Sequence, residues 1–138
     1  MLILASASRS RRHLLEKADI SHQVMISGID EMKFHNDDPT QLVKSLAEAK
    51  AKAVAEKISS DNSGSYLRQN IKGVLGCDSV FEFQGEIFGK PTDAREAKMR
   101  WEMMSAKSGL LHTGHALMFN HSNLESLALS EWKGLSND

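Results

Sequence analysis

The sequence predicts an α/β fold, and three features carry that expectation. The chain opens on a continuous apolar run, Leu2-Ile3-Leu4-Ala5, of the kind found in a strand buried on both faces. A strongly amphipathic helical pattern follows Asp38-Pro39 and extends to Ile58,. A second strand-like run, Lys72 to Phe83, comes after it. Strands that alternate with helices in this way build an α/β domain.

The elements follow in order. After the first strand, Ser6 to Ser10 is a loop. Arg11 to Ala18 reads as a helix, with Ser8 or Ser10 available as cap and Leu14, Leu15 and Ala18 facing inward,. His22 to Ser27 alternates loosely and predicts a second strand. Gly28 to Asp38 is polar and reads as a loop. Asp38 caps the long helix, and Pro39 sits where a missing N–H costs nothing. Leu42, Val43, Leu46, Ala47, Ala49, Ala53, Val54 and Ile58 form its apolar side. Lys44, Glu48, Lys52 and Glu56 alternate in sign four residues apart on another face,. Ser59 to Gln69 is rich in Ser, Asn and Gly and predicts a flexible surface loop.

Lys72 to Phe83 then forms the central strand. Gln84-Gly85 turns it, and Glu86 to Phe88 returns,. Thr92 or Asp93 caps a third helix reaching Ser105, with Ala94, Ala97, Met99, Trp101 and Met104 as inward candidates. Trp101 and Met103-Met104 are most simply core. Leu110 to Asn120 is a strand. Leu124 to Trp132 is open between strand and helix, and Gly134 to Asp138 reads as a frayed end,.

The 138 residues suit one domain, spanning 1–138,. Hydrophobic residues make up 41% and charged residues 25%, which excludes a disordered chain,. The lone Cys77 excludes an internal disulfide,. A formal charge of −1 removes any bulk electrostatic attraction to nucleic acid or to an anionic membrane,. No apolar run reaches the roughly 18 residues of a membrane-spanning helix. At the N-terminus the apolar run precedes the basic segment, the reverse of a secretory signal. A cytoplasmic protein is the simplest expectation.

Several segments are candidates for chemistry. Ser6-Ala7-Ser8-Arg9-Ser10-Arg11-Arg12 lies between a buried strand and a helix start. Backbone N–H groups at a helix N-terminus attract anions, and guanidinium groups grip phosphate in two-pronged fashion. A solvated basic turn is the competing reading. Asp78, within Gly76-Cys77-Asp78-Ser79-Val80, is out of place in an apolar strand unless it is paired or functional. There it can hold a divalent metal or take a proton from water, or simply sit at a strand edge.

Gly85 to Thr92 superficially resembles the phosphate loop G-x-x-x-x-G-K-[ST], but the first glycine is too close and Pro91 intrudes,. That motif is rejected, and Lys90 remains as a point charge for phosphate. Asp30-Glu31 is a loop acid pair able to supply a metal ligand. Lys50 and Lys52 read as a solvated face of the long helix. His112, His115 and His121 do not suggest a shared metal, because strand positions three apart face opposite ways. Cys77 has no evident base to make it a nucleophile.

In order, these segments resemble the Maf family of nucleotide pyrophosphatases. Leu4 to Leu15 looks like the family's L-A-S-x-S-P-x-R-R-x-L-L, with Arg9 where the family commonly has proline. Ile29-Asp30-Glu31 is similar to Val-Asp-Glu, and Leu46 to Ala53 contains L-A-x-x-K-A. Gly76 to Val80 resembles G-[AS]-D-[TQS]-V, Gly85 to Pro91 resembles G-x-x-x-G-K-P, and His112-Thr113-Gly114 resembles Y-T-G. The resemblance covers about residues 2–119. The Asp78-Ser79 pairing looks closer to the branch acting on 7-methyl-GTP.

The resemblance implies a mixed, twisted sheet flanked by helices, as in inosine triphosphate pyrophosphatase. It implies hydrolysis of a nucleoside triphosphate to monophosphate and pyrophosphate with a divalent cation, Mg²⁺ or Mn²⁺. Asp78 would be the catalytic carboxylate. Ser8, Arg11, Arg12, Lys52 and Lys90 would hold the polyphosphate. Glu31 and Asp78 would serve the metal, and Arg11 and Ser79 would influence base choice. A homodimer is left open, and no nucleic acid polymer or membrane is expected. The family's later segments, including a closing G-L-P, are not matched, which gives the expectation of a shortened domain with exposed apolar surface. The alternative to catalysis is a shortened, inactive relative that binds nucleotide or partners.

Overall fold

The computed structural model describes residues 1–60, 70–120 and 132–137. Six strands among them form one mixed sheet: β1 (Leu2–Ala5), β2 (His22–Val24), β3 (Gly73–Phe83), β4 (Glu86–Phe88), β5 (Leu110–Asn120) and β6 (Trp132–Asn137). The order is β2-β1-β3-β5-β6, with β4 also paired to β3. β1 lies parallel to both β2 and β3, and the remaining pairs are antiparallel. The helices are α1 (Arg9–Lys17), α2 (Pro39–Ser60) and α3 (Ala94–Met104). No described helix is long and apolar enough to cross a membrane. The α/β class and its mixed sheet are as expected.

β1 forms where the apolar run predicts it, with Ile3, Leu4 and Ala5 fully buried. α2 covers one face of the sheet over β3 and β5. Asp38 caps it by accepting from the Thr40 backbone N–H at 2.9 Å,. Its Ala47, Ala51, Val54, Ala55 and Ile58 meet Ile3, Val74, Ala116 and Met118 in one core cluster. The helix approaches closely because the strands below it carry glycine. A Cβ on Gly76 would stand 2.1 Å from the Ala47 carbonyl oxygen, and one on Gly114 would stand 2.6 Å from that of Val43. Gln84 and Gly85, both at positive φ (50° and 80°), make the tight β3–β4 hairpin,.

Several expectations change. α1 begins at Arg9, two residues early, and buries no side chain. Leu14 is 66% exposed and Ala18 is exposed, so of the inward face assigned to this helix Leu15 alone is half-buried. α3 also buries nothing: Trp101 is 77% exposed, Met99 63% and Met103 45%. Periodicity says which residues share a face, not whether another element covers it. Ser59 and Ser60 continue α2 rather than opening a loop, and the rest of that segment, 61–69, lies outside the described residues. β2 stops at Val24. Gly134 to Asn137 is not frayed, because it pairs with β5, whose open edge offers a row of backbone donors and acceptors,. Most of Leu124 to Trp132 lies outside the described residues.

α3 is instead secured at its start. Asp93 caps it by accepting from the Glu96 backbone N–H at 2.8 Å, and Glu96 accepts in return from the Thr92 backbone N–H at 2.8 Å and from its hydroxyl, a capping box. Those Thr92 bonds, with Arg100, hold the Glu96 carboxyl below its ordinary pKa. Its folded value is thus the depressed one. The stabilisation is present above the ordinary carboxylate pKa and is lost as pH falls through the lowered value. Amide exchange in the first turn of α3 is therefore expected to speed up on acidification through that window. Glu96→Gln should flatten the dependence, and an identical profile in the variant would contradict the assignment.

Candidate functional site

The chain runs from β1 out to β2 on one side, then returns past β1 to β3 on the other. Such a reversal leaves a crevice beyond the carboxyl ends of the two parallel strands, where open α/β sheets hold ligands. β1 ends at Ala5, opposite Gly76. Ser6 to Ser8 leave β1 there, and Asp78 and Ser79 follow on β3. Because side chains alternate along a strand, Asp78 and Ser79 face opposite sides of the sheet, so two half-sites meet at this point.

On one side stands α1. Ser8 is its cap, with the hydroxyl accepting from the Arg11 backbone N–H at 3.4 Å. The buried Ser6 hydroxyl accepts from the Ser8 backbone N–H at 3.3 Å and from Arg11 Nη1 at 3.2 Å. Arg11 Nη2 donates to Ser79 Oγ at 2.7 Å, and Ser79 Oγ lies 2.8 Å from Thr113 Oγ1 on β5. The guanidinium is thus held by neutral hydroxyls and has no carboxylate partner among the described residues. Its charge is left for an anion arriving at the N-terminus of α1.

On the other side Lys50 reaches down from α2. Its Nζ lies 2.7 Å from Glu31 Oε1 and 3.1 Å from Asp78 Oδ1. The Lys50 and Asp78 side chains are only 13% and 15% exposed, whereas Glu31 is 55% exposed. Burial works against the Lys50 ammonium, but the hydrogen bonds and charges of Glu31 and Asp78 outweigh it and hold its pKa above the ordinary lysine value,. Glu31 is presented by a short 3₁₀ turn, Glu31–Lys33, which Asp30 caps by accepting from the Met32 N–H at 3.1 Å. Lys57 fastens the loop before it to α2, donating to the Ile26 and Ser27 carbonyls at 3.0 and 2.8 Å.

The expected site residues divide accordingly. Ser8, Arg11, Glu31, Asp78 and Ser79 come together. Arg12, Lys52 and Lys90 are exposed, and their side chains make no hydrogen bond or ion pair to another described residue. Lys52, expected from the resemblance to hold phosphate, is exposed, and Lys50 is the lysine of α2 that reaches Asp78, because two residues along a helix turn through about 200°,. Lys90 follows a strand end that Arg100 secures, by donating to the Gly89 carbonyl at 2.6 Å and stacking 5.0 Å over the Phe88 ring.

Ser6 belongs to the candidate anion-binding segment, whereas Lys50 and Thr113 were not expected in the site. Lys50 carried a signal: it interrupts the stripe of Val43, Leu46, Ala47, Val54 and Ile58 that α2 buries. Cys77 is buried, and burial pushes its thiol pKa up, so it stays protonated,. His112 pairs with Glu82 at 3.1 Å further along β3, His115 is exposed opposite Cys77, and His121 lies outside the described residues.

Glu31 and Asp78 are gathered by the Lys50 ammonium, which engages Oε1 of the first and Oδ1 of the second and leaves each carboxylate a further oxygen. No group of three or more metal-ligating side chains exists among the described residues. Two carboxylate ligands suit Mg²⁺ or Mn²⁺, which complete their shell with water and substrate phosphate rather than with an all-protein cage.

Comparison with known proteins places the chain among relatives. A family model described as Maf-like protein matches residues 1–133. A protein named nucleoside triphosphate pyrophosphatase from Synechococcus sp. (strain CC9311) is 58% identical over 118 residues, which are 86% of this chain and 58% of that protein. One of the same name from Synechococcus sp. (strain WH7803) is 55% identical over the same shares. Another from Prochlorococcus marinus (strain MIT 9303) is 52% identical, again covering 86% of this chain and 58% of that protein. The chain therefore spans somewhat under two thirds of the length of these relatives.

Proposed function

We propose, from the premise that this chain belongs to the Maf-like protein family, that it hydrolyses nucleoside triphosphates to monophosphate and pyrophosphate, as the names of its relatives describe. The observation that carries the reading is the pairing of two half-sites at one sheet crevice: an Arg11 guanidinium with no acidic partner among the described residues, and a carboxylate–ammonium cluster of Glu31, Lys50 and Asp78.

Triphosphate is anionic, and attack at the α-phosphorus adds charge to the leaving pyrophosphate. Arg11 and the N-terminus of α1 beyond Ser8 bind and orient the phosphates. Arg12 and Lys90 supply further cations, and Lys52 is retained only as an outer charge. Asp78 uses Oδ1 for Lys50, while Oδ2 accepts no hydrogen bond from a described residue. That oxygen takes the proton of the attacking water. Lys50 fixes the carboxylate in place. Arg11 and Ser79 would also influence base choice, and modified or methylated bases belong among the candidates. Glu31 and Asp78 would hold a divalent cation, which when bound neutralises the charge on the phosphates. A cytoplasmic setting goes with this reading.

The test is pyrophosphate release from a panel of canonical and methylated triphosphates with Mg²⁺ or Mn²⁺. Release is expected with at least one of them, and Asp78→Asn should lower it by about 100-fold or more, from the lower end of the range for a general base upward. No release from a folded sample, or undiminished release by the variant, would sink the proposal.

A further inference from the structure

We propose that Thr113 is a positioning residue for substrate, acting on the Arg11 guanidinium through Ser79. The inference rests on the function proposed above and assigns a role to a side chain which that reading does not use. Thr113 stands on β5 directly opposite Ser79 on β3, on the sheet face turned toward α1. The two hydroxyls are 2.8 Å apart, and Ser79 Oγ receives Arg11 Nη2 at 2.7 Å.

Arginine can only donate, so one lone pair of Ser79 is committed to it. A free serine hydroxyl samples three staggered rotamers, and only some of them keep that lone pair aimed at Arg11. The bond to Thr113 selects the rotamer that does. Thr113 is itself β-branched and stiff about χ1, and it is half-buried in β5 where that strand is paired to β3. It therefore provides a fixed end for the chain Thr113–Ser79–Arg11–Ser6. The guanidinium is clamped between β1 and β3, pre-set for a two-pronged contact with phosphate.

The experiment is a double-mutant cycle on the full chain, read both as KM for pyrophosphate release and as the calorimetric Kd of a non-hydrolysable triphosphate. Thr113→Val keeps shape and strand preference and removes only the hydroxyl. It is expected to raise KM and Kd about fivefold, the scale of one neutral hydrogen bond, with kcat changed by less than about twofold. Thr113→Ser should restore both values. In a Ser79→Ala background, Thr113→Val should have no further effect, because its only route to Arg11 is gone.

A Thr113→Val penalty that persists undiminished without Ser79, an effect on kcat alone, or no effect on KM or Kd would overturn the assignment. Analogue binding without turnover would defeat the proposed hydrolysis and still leave the cycle readable in Kd. No binding by the wild-type chain would overturn both.

Discussion

Lys50→Met is expected to lower kcat/KM for pyrophosphate release by about 100-fold to 1,000-fold, the scale of deleting one preorganised charge in an active site. The substitution keeps the hydrocarbon length of the side chain and removes the ammonium. Glu31 Oε1 and Asp78 Oδ1, which Lys50 now contacts at 2.7 and 3.1 Å, would be left without their shared cation. A carboxylate that is only 15% exposed tolerates that poorly,. Without that anchor it would be a less well-placed ligand and base. Lys52→Met, one side of the helix away, is expected to change activity less than about threefold, the scale of an exposed charge. Comparable losses in the two variants would contradict the placement of Lys50 as the residue that organises Asp78.

Gly76→Ala should be the most damaging single methyl group in the described structure. The added Cβ would meet the Ala47 carbonyl oxygen at 2.1 Å and the Ala51 nitrogen at 2.9 Å. These are backbone atoms in the middle of α2 and cannot swing aside, so the helix must lift from β3. Overpacking of this kind costs about 3 kcal/mol, which in a domain of this size lowers Tm by about 6–15 °C. Lifting α2 also withdraws Lys50 from Asp78, so activity should fall further than the loss of folded protein explains. Gly89→Ala is the control, since nothing lies within 4 Å of a Cβ there. A Gly76→Ala protein melting within about 2 °C of the wild type would show that α2 has room to move.

Much of this fold is legible in the residues. The buried run of β1, the cap and length of α2 and the Gln84-Gly85 turn follow from local chemistry, and each forms where that chemistry places it. Asp78 stands out for the same reason, as an acid in an apolar strand. What local pattern does not carry is the partner of each face. Leu14, Met99 and Trp101 repeat at helical spacing, yet all three are exposed, because nothing in α1 or α3 alone says which surface lies opposite.

The choice between Lys50 and Lys52 turned on helical phase. Lys52 belongs to the solvated row with Glu48 and Glu56, while Lys50 falls among the residues that α2 presses onto the sheet. Thr113 and Ser79 are 34 residues apart in sequence. They become neighbours only through the β3–β5 register, which no short-range motif encodes. Ser6 lies in the candidate basic segment, but its bond to the Arg11 guanidinium emerges only from the fold.

The measurement that bears most directly on the role of this crevice is the fate of the oxygen from water. Hydrolysis run in ¹⁸O-labelled water, with the products separated and analysed by mass spectrometry, locates the phosphorus that is attacked. With Asp78 preparing the water and the cations gathered on the departing phosphates, the label should appear in the nucleoside monophosphate, and pyrophosphate should be released unlabelled. Label in inorganic phosphate released alongside a nucleoside diphosphate, or in pyrophosphate itself, would contradict attack at the α-phosphorus and the arrangement of charges described for this site.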